Sequence, residues 1–262
     1  MPEIRNVAKE RLEAGELAIG VSLRMARTVE IAKAMRAAGF DFLFIDMEHN
    51  SMSVDTAAQI SVAAQDAGIT PVVRVPGLEH YLATRVLDAG AQGIVVPHVD
   101  TDEVARRMAQ NCRYPPLGRR SITGALPQLD FQALPVGDAM AAVDRATLLI
   151  VMLESQGAID NVERIAAVPG IDALLVGTSD LSIEMGIPGQ FEHPKVVGAF
   201  ERVIAACRAN GIHPGIGGVY EPPLLERYVG MGFRLIMAGN DLALMMAAAR
   251  QRAAAVRAMP PR

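Results

Sequence analysis

Phe42-Leu43-Phe44-Ile45-Asp46-Met47-Glu48-His49 reads as a short apolar run that stops on a cluster of ionisable side chains. Consecutive apolar residues without polar alternation mark a strand covered on both faces. In a parallel α/β protein, groups at the C-terminal end of such a strand stand where chemistry is done. The same grammar recurs along the chain. Arg74 closes Pro71-Val72-Val73, Glu154 closes Leu148-Leu149-Ile150-Val151-Met152-Leu153, and Asp180 follows Ala173-Leu174-Leu175-Val176-Gly177.

Working outward from these runs, strands are predicted at 17–23, 41–45, 70–75, 93–96, 147–153, 172–176, 213–216 and 233–237. Amphipathic helices are predicted between them at 28–38, 55–67, 78–89, 101–111 and 195–210, with Gly39, Gly68, Gly90 and Gly211 as C-caps. A closed (β/α)8 barrel takes roughly 250 residues, so the expectation is an α/β fold with one TIM-barrel domain over residues 1–262 and an N-terminal helix. Residues 113–145 break the rhythm with Pro115-Pro116, Gly118, Gly124, Pro127, Pro135 and Gly137. A connection that long is expected to be partly helical or to serve an interface, at the bottom of the barrel. The tail 241–259 reads as an extended helix whose Met245-Met246 pair suits a subunit contact as well as a core.

Composition narrows the function. A net charge of −4, 4% aromatic residues and no Trp argue against a nucleic-acid partner. Cys112 and Cys207 make no disulfide framework. No apolar run approaches the ~20 residues that span a bilayer, and residues 1–16 lack the apolar core of a signal peptide. The expectation is a soluble cytoplasmic protein with no membrane partner.

Glu154 and Asp180 end consecutive strands, so their carboxylates can converge above the barrel mouth as a hard-oxygen site for a divalent cation. The plainer alternative has Asp180 capping a helix that begins at Leu181 and Glu154 simply ending a strand. Gly177-Thr178-Ser179-Asp180 is a strand-to-helix turn whose backbone N–H groups could take a carboxylate. Beside a metal ion it would suit a 2-oxo acid, whose carboxylate and oxo oxygens can chelate the ion. His49 is the available general base, because imidazole changes protonation near neutral pH. Asp46 and Glu48 strengthen that reading, although strand alternation would put Asp46 and His49 on opposite faces unless the chain has turned. Arg74 is placed to neutralise an enolate or fix a carboxylate, with an ordinary ion pair as the alternative. His98 and Asp241, also at strand ends, are expected to play supporting or structural parts. Gly215-Ile216-Gly217-Gly218 matches no phosphate-loop pattern. The only lysines, Lys9, Lys33 and Lys195, end no predicted strand, which speaks against Schiff-base catalysis.

The ordered motifs Phe44-Ile45-Asp46-Met47-Glu48-His49, Val73-Arg74-Val75, Val86-Leu87-Asp88-Ala89-Gly90-Ala91-Gln92-Gly93, Arg113-Tyr114-Pro115-Pro116-Leu117-Gly118, Leu153-Glu154-Ser155 and Gly177-Thr178-Ser179-Asp180-Leu181 resemble the HpcH/HpaI aldolase family from about residue 18 to 241. The resemblance implies a class II pyruvate aldolase, with His49 as acid/base, Arg74 stabilising the enolate, and Glu154 and Asp180 holding Mg2+, Mn2+ or Co2+. It gives the Ser179 N–H to the pyruvate carboxylate and casts Asp88 as the aspartate that raises the histidine's basicity; Asp46, beside His49 at the strand end, joins the candidate catalytic set. It further implies a homohexamer, a trimer of dimers, with exchanged C-terminal helices. Asp88 precedes the fourth strand and so belongs at the bottom of its own barrel; reaching a histidine would require a neighbouring subunit.

Two departures stand out. Met152 occupies the place of a substrate-contacting Gln, and Arg119-Arg120-Ser121 lacks the usual Gly after the arginine. The expected reaction is reversible cleavage of a 4-hydroxy-2-oxo acid to pyruvate or hydroxypyruvate and an aldehyde. The rivals are a related acyl-CoA lyase and a non-catalytic ligand-binding barrel.

Overall fold

The computed structural model describes residues 4–260. Eight parallel strands close into a barrel in sequence order. They are β1 (Ala18–Leu23), β2 (Phe42–Asp46), β3 (Thr70–Arg74), β4 (Gly93–Val96), β5 (Leu148–Leu153), β6 (Ala173–Gly177), β7 (His213–Gly217) and β8 (Leu235–Asn240). The first seven fall within one residue of the predicted bounds.

The last strand is displaced toward the C-terminus for two reasons. Phe233, expected to open it, is fully buried outside the barrel and meets the Phe200 ring edge-on at 5.3 Å. At the other end a register shift against β1 carries the pairing on to Asn240, opposite Ser22.

The surrounding helices are α1 (Val7–Glu13), α2 (Glu30–Ala37), α3 (Val54–Ala67), α4 (His80–Asp88), α5 (Asp102–Cys112), α6 (Val136–Ala146), α7 (Gln156–Asp160), α8 (Val162–Ala166), α9 (Thr178–Glu184), α10 (Pro194–Asn210), α11 (Pro222–Met231) and α12 (Asp241–Arg257). Gly68 and Gly211 terminate α3 and α10 in the left-handed conformation, as expected of C-cap glycines. Among the described residues, no helix is long and apolar enough to cross a membrane.

Burial is divided into layers. One shell fills the space between strands and outer helices; a second, including Phe42, Phe44, Val72, Val95, Ile150, Met152, Leu175, Leu235 and Met237, fills the barrel itself. The interior is packed tightly enough that a Cβ on Gly20 would stand 2.1 Å from the Phe42 ring. Truncating Phe42 to Ala would cost about 3–5 kcal/mol.

Helix α1 closes the bottom, contributing Ala8 and Leu12 to the inner layer. Asn6 caps this helix at the Lys9 N–H and donates from Nδ2 to the Gln92 and Ala146 carbonyls. Residues 113–145 also lie at this end and are partly helical, as expected, with a 3-10 turn at Pro127–Leu129 followed by α6. Arg113 anchors the segment, pairing with Asp172 and donating to the Gly170 and Asp144 carbonyls. A small core of Tyr114, Leu126, Leu129, Ala142 and Val143 supports it.

Candidate active site

The catalytic geometry starts from strand register. Asp46 and Arg74 are Cα partners across β2 and β3, so both side chains point into the mouth, above the inner apolar layer. Arg74 Nε donates to Asp46 Oδ1 at 2.9 Å and Nη2 to Oδ2 at 2.7 Å. The guanidinium also lies 5.3 Å from the Phe44 ring centroid, so apolar surface beneath it keeps it dry. Burial opposes the Asp46 charge, but the Arg74 hydrogen bonds and charge, helped by the Glu48 and His49 N–H groups, hold its carboxyl below the usual range.

The chain turns immediately after Asp46, which resolves the alternation problem. Asp46 Oδ1 accepts from the Glu48 and His49 backbones at 3.1 and 3.4 Å, and Asp46 and His49 both line the same cleft. His49 is half-exposed at the rim, with Nε2 3.6 Å from Glu48 Oε2. Asp46, 1% exposed, has both oxygens engaged.

Glu48 and His98 carry more of the site than the sequence reading assigned them. Glu48, partly buried, places Oε2 3.0 Å from Arg74 Nη1, an ion pair without hydrogen-bond alignment that leaves this buried oxygen unsatisfied. Its Oε1 lies 2.8 Å from His98 Nε2. His98, at φ 55, donates its N–H to Glu154 Oε2 at 3.2 Å and keeps Nδ1 3.3 Å from the same oxygen. The signals in the sequence were the Asp-x-Glu spacing and the His after Val95-Val96-Pro97. Asp241 has the structural part expected of it, accepting from the Arg24, Met25 and Ala26 N–H groups.

Glu154 extends from the end of β5 behind Gly177, where a Cβ would stand 2.7 Å from its Cγ and 2.9 Å from Oε1. Burial pushes its carboxyl up, the His98 N–H and ring oppose this, and the nearby Glu48 charge adds to the rise. Asp180 is exposed, lies in the first turn of α9 and lines the cleft with Gly177, Thr178 and Ser179. Helix α9 begins at Thr178, three residues before the expected start, so Asp180 is inside the helix rather than its cap.

A divalent cation fits this donor set. Glu154 and Asp180 supply hard oxygens, the unsatisfied Glu48 Oε2 adds negative potential nearby, and burial opposes the Glu154 charge, which a cation would favour. Among the described residues no group of three or more His, Cys, Asp or Glu side chains is set to hold an ion. Two carboxylates leave coordination positions for water and substrate oxygens.

The cleft, about 150 Å3 in volume, is completed by Ser22, Arg24, Phe44, Met152, Tyr220 and Met237, among others. Met152 fills the place expected of a polar residue and lies with Sδ 3.8 Å from Arg74 Nη1. The structure does not bring Asp88 to this cleft. It ends α4, at the foot of its own barrel, where it accepts from Arg120 Nη2 at 2.7 Å. The Arg120 side chain is fully buried and stacks 4.7 Å from the Tyr114 ring centroid.

Comparison with known proteins bears on this geometry. The profile of the HpcH/HpaI aldolase/citrate lyase family matches residues 24–248. A 4-hydroxy-4-methyl-2-oxoglutarate aldolase of Chaetomium globosum is 39% identical over 93% of this chain and 92% of its own length. A hydroxypyruvate/pyruvate aldolase of Cupriavidus necator is 35% identical over 97% and 94%. The crystal structure of an HpcH/HpaI aldolase from Desulfitobacterium hafniense superposes with a TM-score of 0.92 at 27% identity, covering 98% of both chains. The resemblance read from the motifs therefore holds over nearly the whole chain, which belongs to the HpcH/HpaI aldolase family.

Proposed function

We propose that the protein is a divalent-metal-dependent class II aldolase that reversibly cleaves a 4-hydroxy-2-oxo acid to pyruvate, or hydroxypyruvate, and an aldehyde or ketone. The observation that carries this reading is the buried Arg74, fixed by Asp46 beside Glu48 at the barrel mouth. A guanidinium desolvated in this way is already oriented toward charge that develops during reaction, so no reorganisation is needed then.

Glu154 and Asp180 would hold the cation, which supplies Lewis-acid polarisation of the substrate carbonyl. Ser179 presents its backbone at the start of α9 to the carboxylate of the oxo acid. Arg74 faces the oxo oxygen and stabilises negative charge there as the C3–C4 bond breaks. His49, at the half-exposed rim, accepts the C4 hydroxyl proton and returns a proton in the synthetic direction. Asp46 positions Arg74 and shapes the turn that carries His49.

Lysine placement supports the same reading. Lys9 is tied to the Thr147 carbonyl and Asp172 at the barrel foot, while Lys33 and Lys195 lie on α2 and α10. The exposed Leu242, Leu244, Met245 and Met246 on α12 suit a subunit contact in a homohexamer. Such an assembly would let Asp88 of one subunit support His49 of another.

Exchange of the pyruvate C3 protons with solvent, followed by NMR, isolates enolate formation from aldehyde chemistry. Arg74→Ala should lose both exchange and cleavage, a transition-state loss of roughly 3 kcal/mol or more. Near-normal exchange in this variant would refute the assignment of Arg74.

A further inference from the structure

Three buried apolar side chains, Phe44, Met152 and Met237, reach the cleft from the inner layer of the barrel and form its floor. Phe44 and Met152 each stand two residues before a site carboxylate, Asp46 on β2 and Glu154 on β5. Strand alternation therefore gives each the same inward face as that carboxylate, one step deeper. Arg74 lies on this floor, its guanidinium 5.3 Å from the Phe44 ring centroid and its Nη1 3.8 Å from Met152 Sδ.

Met152 is the member of the floor placed closest to the chemistry. In the closed strand order β5 stands between β3, which carries Arg74, and β6, which leads into α9. Met152 is also the Cα partner of Leu175 on β6. It thus lies between the two anchors of the proposed substrate, the guanidinium that faces the oxo oxygen and the start of α9 that takes the carboxylate. Those anchors account for two of the three substituents of C2. The third is C3, the carbon that becomes the nucleophile.

Building on the aldolase reading, we infer that Met152 contacts the C3 substituent and determines which 2-oxo acid serves as nucleophile: hydrogen or methyl on C3 is accepted, and the hydroxyl of hydroxypyruvate is disfavoured. The methionine side chain is flexible enough to make way for a methyl group, but its thioether is only a weak hydrogen-bond acceptor. A hydroxyl set against it gives up water without gaining a good partner. Arg74 offers no substitute, because its donors face Asp46, Glu48 and the oxo oxygen. Apolar pockets reject a hydroxyl-bearing isostere by roughly ten- to a hundredfold. In the synthetic direction the products would be 4-hydroxy-2-oxo acids with hydrogen or methyl at C3, in preference to 3,4-dihydroxy-2-oxo acids.

The test compares 2-oxobutanoate with hydroxypyruvate, which differ only in a methyl group against a hydroxyl on C3. Binding of each to the Mn2+-loaded protein is measured by titration calorimetry in wild type, Met152→Leu and Met152→Gln. The expected result is at least about tenfold tighter binding of 2-oxobutanoate by wild type, a similar ratio in the apolar Leu variant, and a ratio near or below one in the Gln variant. The wild-type ratio decides even if a variant fails to fold. A ratio near one or reversed in wild type, an unchanged ratio in Met152→Gln, or binding of neither acid by protein that exchanges pyruvate C3 protons would overturn the inference and leave the aldolase reading standing. Wild-type protein that neither exchanges those protons nor cleaves any 4-hydroxy-2-oxo acid would refute the aldolase reading, and this inference with it.

Discussion

Arg74 grips Asp46 at two points, Nε to Oδ1 at 2.9 Å and Nη2 to Oδ2 at 2.7 Å, with both side chains almost completely buried. Losing one member of such a pair leaves an uncompensated buried charge, which typically costs about 3–5 kcal/mol. Here Glu48, 3.0 Å from Arg74 Nη1, can take up part of the charge.

Asp46→Asn should therefore destabilise the protein by ~3 kcal/mol at pH 7. Burial opposes the Asp46 charge, but Arg74 overcomes it, and the folded-state carboxyl is depressed. The stabilisation is present above the unfolded value of about 3.9 and disappears as pH falls through the lower folded value. Urea midpoints measured from pH 7 to pH 2.5 should converge for wild type and variant below about pH 4. A gap that stays constant or widens in acid would contradict the pairing.

Gly177→Ala tests the close approach of β6 to Glu154. The added methyl group would meet Glu154 Cγ at 2.7 Å and Oε1 at 2.9 Å, and the carboxylate, 5% exposed, has little room to retreat. We expect Mn2+ affinity and aldol cleavage each to fall by at least about tenfold, in line with misplacement of a reacting group, while circular dichroism stays native. Wild-type metal affinity in this variant would detach Glu154 from the proposed metal site.

The two thiols should be silent. Burial pushes Cys112 up to about 11 and Cys207 up to about 12, so neither is a thiolate near neutral pH. Ellman's reagent at pH 8 should label neither in the native protein and both after unfolding in guanidinium chloride. Rapid labelling of the native state would mean that the barrel opens locally around α5 or α10.

The barrel was legible because its strands are short apolar blocks followed by polar strand ends. Asp46, Arg74, Glu154 and Asp180 each mark where an apolar block stops, so their shared location follows from the closed strand order. The Glu48–His98–Glu154 chain was harder to read. His98 lies 50 residues from Glu48 and 56 from Glu154, and the three meet only through strand register and the left-handed turn at His98. The shifted end of β8 was hidden for a related reason. Phe233 is apolar in either location, and only its packing on Phe200 excludes it from the strand. Asp88 could be placed at the barrel foot from sequence order alone, whereas its pairing with Arg120 depends on the path of the irregular segment between α5 and β5.

The central claim, that carboxylate-held metal does the work a lysine imine does in other aldolases, is tested most directly by metal removal. Pyruvate release from 4-hydroxy-4-methyl-2-oxoglutarate is followed before and after exhaustive EDTA treatment, with the metal content verified, and again with borohydride added during turnover. The account predicts that activity disappears with the metal, returns on adding Mg2+, Mn2+ or Co2+, and is accompanied by no borohydride-trapped adduct. Full activity in verified metal-free protein, or a trapped enzyme-substrate imine, would contradict it.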